Sequence, residues 1–298
     1  MKTKFINIEG LHGCGKSTTA WKLNEKLREQ GFNSRVYLEV DMDYAQRNPC
    51  DLRFLALLNE EEYKNLTIQY PEQSSLIESL VEKIDDEYYQ IYYPDISDDC
   101  NELLDKLKSY QAYEGRLNSD TFVRIMFMKF NDFVENAVQD DIVYIFESVL
   151  FQHIINELLR FSNLSETYIS ECITKLTNIL KPLNPILFHL RTDNTKGIID
   201  KVASERLSDN YDLYPDWIDW MIEYVKNSSY GEKNNVQNRE GLMDFFYKRA
   251  DIEEKVFSLL DIEKHIINID PISKETLNSM VYSILRDESN KTNEFKIK

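Results

Sequence analysis

The chain contains little glycine, 8 residues in 298, and it has no long apolar run. No stretch approaches the roughly 20 consecutive apolar residues of a membrane helix, so we expect no membrane contact. The four cysteines, Cys14, Cys50, Cys100 and Cys172, show neither a Cys-x-x-Cys pair nor a metal-ligand spacing. This pattern favours reduced thiols and a cytoplasmic protein.

Basic residues are also scarce relative to acidic ones. The chain has 35 Lys and Arg against 52 Asp and Glu, a formal net charge of −17. A broad nucleic-acid surface needs a positive face, so nucleic acid is not an expected partner. A small anion in a locally basic pocket remains compatible with this charge.

The composition is that of a globular chain, with 42% hydrophobic and 12% aromatic residues. No Pro-, Gly- or Ser-rich linker divides it. We therefore expect a single domain over 1–298, with a mostly helical insertion at 51–138 on the acceptor side and a helical lid region at 198–260.

Five short apolar segments predict strands, at 4–10, 35–40, 141–148, 185–191 and 263–270. The first is followed by "KSTTAWKLNEKLREQG", where Ala20, Leu23 and Leu27 have helical spacing and Gly31 marks the end. Strand, helix and strand in about 40 residues form a βαβ unit with parallel strands. The sequence thus predicts an α/β fold.

Three of the eight glycines lie within "GLHGCGKST", which matches G-x-x-x-x-G-K-[ST] between a predicted strand and a predicted helix. Such a Walker A loop surrounds an anion with backbone N–H groups at a helix N-terminus. Lys16 would reach the β- and γ-phosphates and Ser17 would hold Mg²⁺. The residues predicted to bind the nucleotide here are Gly10, Leu11, His12, Gly13, Cys14, Gly15, Lys16, Ser17 and Thr18.

Carboxylates follow two of the predicted strands, at the edge where open α/β sheets bind ligands. Glu147 ends "IVYIFE" and is a candidate Mg²⁺ ligand. Glu39, Asp41 and Asp43 alternate at the end of strand two. Phosphoryl transfer to a hydroxyl needs a carboxylate base, for which Asp41 is the first choice and Glu39 the second. A solvent-facing acidic cluster is an equal alternative.

Arginines that close over the γ-phosphate would offset transition-state charge. Arg191 and Arg206 are preferred because they follow strand four, where a closing segment would hinge. Arg191 is assigned to cofactor binding and Arg206 to catalysis. Arg124, Arg239 and Arg249 are further candidates, although most arginines form surface salt bridges.

The segment "FINIEGLHGCGKSTTAWKLNEKL" resembles the opening of P-loop nucleoside and nucleotide kinases, thymidylate kinases in particular. "IFESVLFQ" is similar to their Asp/Glu-Arg-Ser segment, with Gln152 where a Gln facing the active site often lies. "LFHLRTDNTKGIIDKVASER" resembles their strand four and Arg-bearing lid, which implies the lid role of Arg206. The resemblance implies a three-layer fold with a five-stranded parallel sheet in the order 2-3-1-4-5, and ATP and Mg²⁺ as cofactors. A homodimer is compatible with it.

Two departures limit what the resemblance implies. Ser148 stands where many relatives keep an Arg that contacts phosphate or substrate. The segment "VDMDYAQRNP" lacks their Arg-Glu-Pro-Gly segment, so thymidylate is not supported as the acceptor. The Asp-x-Asp in this segment is similar to the acceptor-hydroxyl motif of small-metabolite kinases. "DNTKG" does not supply the Asn-Lys-x-Asp of a GTPase, and the Ser-Gly-Gly-Gln signature of ABC ATPases is missing.

The expected function is therefore transfer of the γ-phosphate of ATP to a hydroxyl or phosphate of a nucleoside, nucleotide or other small metabolite. The alternative is a nucleotide-binding regulatory or interaction module with little turnover.

Overall fold

The computed structural model describes residues 2–39, 47–211, 213–270 and 272–294. Eight strands lie in these ranges: β1 (Phe5–Gly10), β2 (Ser34–Tyr37), β3 (Leu55–Asn59), β4 (Glu82–Lys83), β5 (Tyr88–Tyr92), β6 (Val143–Glu147), β7 (Ile186–Arg191) and β8 (Glu263–Asn268).

The α-helices of the same ranges are α1 (Lys16–Glu29), α2 (Glu60–Gln69), α3 (Ser74–Leu80), α4 (Asn101–Lys108), α5 (Ser119–Ala137), α6 (Gln152–Ile155), α7 (Glu166–Leu180), α8 (Thr195–Glu205), α9 (Trp217–Lys226), α10 (Ser229–Lys233), α11 (Arg239–Leu259) and α12 (Lys274–Glu294). A short π-helical turn, Asn156–Phe161, continues α6. None of the helices in the described ranges combines the length and apolar character needed to cross a bilayer.

The chain divides into two compact units. The first comprises Met1–Asp41 and Phe127–Lys298, and the second comprises Met42–Met126. The single domain with an inserted segment, expected from the sequence, stays a prediction.

The first unit is built on a five-stranded parallel sheet in the order β2-β6-β1-β7-β8. Numbered within this sheet alone, the order is 2-3-1-4-5, so the predicted α/β fold is confirmed. All six residues of β1 are buried at the centre of the sheet. Because the strands are parallel, the segments that follow β1, β2 and β6 begin at the same edge.

Helices cover this sheet. Phe133 of α5 contacts the ring of Phe5 on β1, and Phe257 of α11 packs against His189 on β7. Helix α1 packs against β1, β2 and β6 and against α12. These contacts place the predicted helical layers around the central strands.

The predicted strands of this sheet agree with the observed ones within a few residues, except at the end of β2. The expected strand extended to 40, whereas β2 ends at Tyr37 and Glu39 lies in a turn. The expected alternation of carboxylates along strand two therefore does not hold for Glu39. Asp41 and Asp43 lie outside the described residues.

The second unit contains a three-stranded antiparallel sheet in the order β3-β5-β4, together with α2, α3 and α4. The expectation of a mostly helical segment missed these strands. The unit has a hydrophobic core of its own, made of the buried residues Ala56, Leu58, Leu66, Ile77, Ile91, Tyr93, Ile96, Leu103 and Leu107.

Candidate active site

The glycine-rich loop joins β1 to α1 at the carboxyl edge of the sheet. Lys16 is the first residue of α1 and only 5% exposed, and its Nζ donates to the carbonyl of Leu11 at 3.2 Å. The ammonium group thus folds back over the loop. A helix N-terminus and a buried cation at the same loop make a site for an anion such as a phosphate.

Gly10 ends β1 and brings the start of the loop close to the neighbouring strand. Its φ is +142°, and a Cβ built on it would lie 2.4 Å from the carbonyl oxygen of Leu190 on β7. Only glycine fits both the dihedral angle and the space. The loop therefore starts in direct contact with the backbone of β7.

Ser17 and Glu147, the two predicted Mg²⁺ ligands, lie next to each other. Ser17 Oγ donates to Glu147 Oε1 at 2.7 Å, and the backbone N–H of Glu39 donates to Glu147 Oε2 at 3.0 Å. The 2%-exposed Glu147 carboxylate is therefore held in a fixed orientation towards α1. A hydroxyl and a carboxylate are hard oxygen ligands of the kind that Mg²⁺ prefers.

A divalent ion at this pair would need ligands from outside the protein. In the described ranges, no cluster of three or more His, Cys, Asp or Glu side chains could hold a metal ion. Mg²⁺ is commonly bound by one or two protein oxygens plus phosphate oxygens and water. The Ser17–Glu147 pair fits that role.

Gln152 links the loop to two further charged residues. Its Oε1 accepts from Lys16 Nζ at 3.3 Å and from Arg249 Nη2 at 3.2 Å. Its Nε2 donates to the carboxylate of Glu39. The side chain of Gln152 thus connects Lys16, Arg249 and Glu39.

The turn after β6 is held by a buried carboxylate, Glu9 of β1. Glu9 Oε1 accepts the backbone N–H groups of Leu150 and Phe151 at 2.7 and 2.8 Å, and its Oε2 accepts that of Gln152 at 3.3 Å. Burial raises the pKa of Glu9, and these hydrogen bonds oppose that shift. The turn that carries Gln152 is thereby fixed to the strand that carries the loop.

His12 of the loop contacts residues that follow β7. Its ring lies 5.5 Å from that of Trp217 and 5.8 Å from that of Phe246. The guanidinium of Arg206 lies over the same Trp217 ring, 5.7 Å from its centroid. The structure thus brings Arg206, expected in a lid, to the aromatic group that covers the loop.

The other predicted residues lie in different surroundings. Arg191 forms ion pairs of 3.0 Å with Asp193 and Glu254, both partly exposed. Its assignment to cofactor binding stays a prediction. Cys14 is buried, and burial raises the pKa of its thiol to about 11, which suits a small packing residue better than a nucleophile.

Among the arginines named from the sequence, Arg249 is the one whose guanidinium donates a hydrogen bond to Gln152. A local signal was available. Arg249 and Glu253 are four residues apart among the buried residues of α11, between Phe246 and Val256. A charged pair within an apolar helix face indicates a polar network rather than a solvated surface.

No protein-family model matches the sequence, and no curated protein matches it. Among solved structures, the chain is similar to thymidylate kinase from Candida albicans, at 14% identity over 97% of this chain and 93% of that one, with a TM-score of 0.42.

Proposed function

We propose that this protein is an ATP-dependent kinase that transfers the γ-phosphate to a small-molecule acceptor, a nucleoside, nucleotide or other metabolite. The observation that carries the proposal is the 2.7 Å contact between Ser17 and Glu147, directly beside a complete phosphate-binding loop. A hydroxyl and an oriented carboxylate at that position are what a nucleotide-bound Mg²⁺ requires.

Each residue of the site has a distinct role in this proposal. Lys16 and the loop N–H groups bind the β- and γ-phosphates, while Ser17 and Glu147 hold the Mg²⁺, whose charge offsets that of the phosphates. Asp41, the first choice from the sequence, or Glu39, which Gln152 anchors, accepts the proton of an acceptor hydroxyl. Arg206 approaches from the lid segment and stabilises the transferring group.

The test combines ligand screening with one variant. Thermal unfolding would be measured with Mg·ATP, and then with added nucleosides, nucleotides, sugars and antibiotics, because a ligand that binds the folded state raises its apparent stability. A compound that adds to the ATP shift is then assayed for phosphorylation. We expect Lys16→Ala to lower acceptor-dependent turnover at least about 100-fold, since it removes a charge that stabilises the transition state.

The matched control is Lys22→Ala. Lys22 lies on the same helix, is exposed, and pairs with Glu25 at 2.7 Å. This variant should keep wild-type turnover, and both should unfold at the wild-type temperature within a few degrees. Wild-type turnover in Lys16→Ala would contradict the proposed mechanism.

A regulatory nucleotide-binding module is the second candidate, favoured by Ser148. This residue is fully buried, has φ +66°, and its Oγ has no hydrogen-bond partner among the described residues. Because its side chain is neutral, it supplies no positive charge at the position where an Arg is expected after Glu147. A regulatory module would bind ATP and turn it over slowly whatever acceptor is added, whereas a kinase would consume ATP quickly only with its acceptor.

A further inference from the structure

Arg249 is one of the largest fully buried side chains, with 0% exposure. Its Nε donates to Glu253 Oε1 at 2.7 Å and its Nη2 to Gln152 Oε1 at 3.2 Å. In the part of the chain that the structure describes, its Nη1 has no hydrogen-bond partner. A buried guanidinium with an unsatisfied donor is costly, so the unpaired Nη1 calls for an explanation.

The positive charge of Arg249 is balanced by a carboxylate on the same helix. Glu253 is 1% exposed and also lies 3.1 Å from His189 Nε2. Although burial opposes ionisation, the charge of Arg249 and the contact with His189 lower the pKa of Glu253 to about 2. The carboxylate is thus ionised at neutral pH and holds the guanidinium in one orientation on α11.

Arg249 and the loop lysine approach the same atom. Gln152 Oε1 accepts from Lys16 Nζ at 3.3 Å and from Arg249 Nη2 at 3.2 Å. Two cationic groups are therefore held within hydrogen-bond reach of one oxygen, in a buried region where like charges repel strongly. An anion bound at the loop would relieve this repulsion.

We propose that Arg249 is a second phosphate-binding cation, which binds the terminal phosphate of the nucleoside triphosphate together with Lys16. This inference rests on the proposed function and adds to it a contact from a helix about 230 residues beyond the loop in the chain. A planar guanidinium with a free N–H suits a phosphate oxygen, and a buried position strengthens the contact.

The test compares the affinities for ATP and ADP, which differ by the terminal phosphate. Calorimetric titration with Mg²⁺ would be performed on the wild type, Arg249→Gln, Arg249→Lys and the control Lys255→Gln. Lys255 lies on the same helix, is exposed and pairs with Glu166. We expect Arg249→Gln to weaken ATP binding at least tenfold and to change ADP binding less than about twofold. Arg249→Lys should fall between it and the wild type, and the control should match the wild type.

If Arg249 only stabilises the fold and does not bind the phosphate, the result is different. ATP and ADP would then weaken equally, or neither would weaken, and either outcome overturns the inference. If Arg249→Gln does not fold, the double variant Arg249→Gln/Glu253→Gln removes both charges of the buried pair and gives the same comparison. The proposed function fails separately, if the wild type binds neither nucleotide or if Lys16→Ala binds ATP as tightly as the wild type.

Discussion

His12 lies in the glycine-rich loop and contacts the rings of Trp217 and Phe246. Burial, followed by the charges of Lys16 and Arg249, lowers the pKa of His12 to about 3. The folded protein thus keeps this imidazole neutral at pH values where the unfolded chain, with a pKa near 6.5, is protonated. His12 is a group through which acid destabilises the loop.

The lowered pKa of His12 predicts how the free energy of unfolding changes with pH. The unfolded state binds more protons below pH 6.5, so the free energy of unfolding falls as the pH drops from 6.5 towards 3. Between pH 7.5 and pH 5, we expect the wild type to lose about 2 kcal/mol more than His12→Gln. Urea unfolding of both proteins at the two pH values checks this. Equal losses would show that His12 is protonated in the folded state.

The sequence located part of the candidate site because motif spacing fixes where those residues lie. Lys16 and Ser17 follow from the loop pattern, and Glu147 follows from its position at the end of an apolar strand. Arg249 could not be preferred in the same way. The hydrogen bond between Arg249 and Gln152 joins residues that are 97 positions apart in the chain. It depends on how α11 packs, which no local sequence pattern specifies.

At the scale of secondary-structure elements, the contact of β1 with β7 at Gly10 is a tight constraint. We expect Gly10→Ala to lower the free energy of unfolding by more than about 3 kcal/mol, because the methyl group would meet backbone that cannot rotate away. Gly31→Ala is the matched control. It has φ +82° but no atom within 4 Å of a built Cβ, so it should cost only the left-handed penalty of about 1–2 kcal/mol. Equal losses in denaturant unfolding would contradict the steric argument.

Strands of the two sheets differed in how well they could be predicted. The strands of the parallel sheet are mostly continuous apolar runs, since most are buried on both faces, and the sequence shows them directly. In the second unit, β4 has two residues and β5 reads "YYQIY", with a glutamine amid tyrosines. β5 becomes a strand by pairing with β3, and β4 by pairing with β5, a tertiary effect that local propensity does not capture.

At the scale of the whole molecule, the separate core of the second unit can be tested by itself. Leu66 is fully buried in that core. We expect Leu66→Ala to cost about 2–5 kcal/mol through the cavity it leaves, with lost hydrogen-exchange protection concentrated in 47–126. Ile68→Ala, on the same helix but 76% exposed, should change stability by less than about 0.5 kcal/mol. Equal loss of protection in β1, β6 and β7 would show that the two units unfold together.

The central position of β1 has a consequence for how the protein is made. Phe5 pairs with Tyr144 on one side and Ile6 with Ile186 on the other, so the strand that leads into the loop leaves the ribosome long before either partner. At about 5–20 residues per second, this apolar strand waits roughly seven to thirty seconds for its first neighbour. During that interval its unpaired backbone is open to aggregation and to chaperones. The central position that buries all six residues of β1 in the folded sheet thus leaves the same strand without a partner for much of its synthesis.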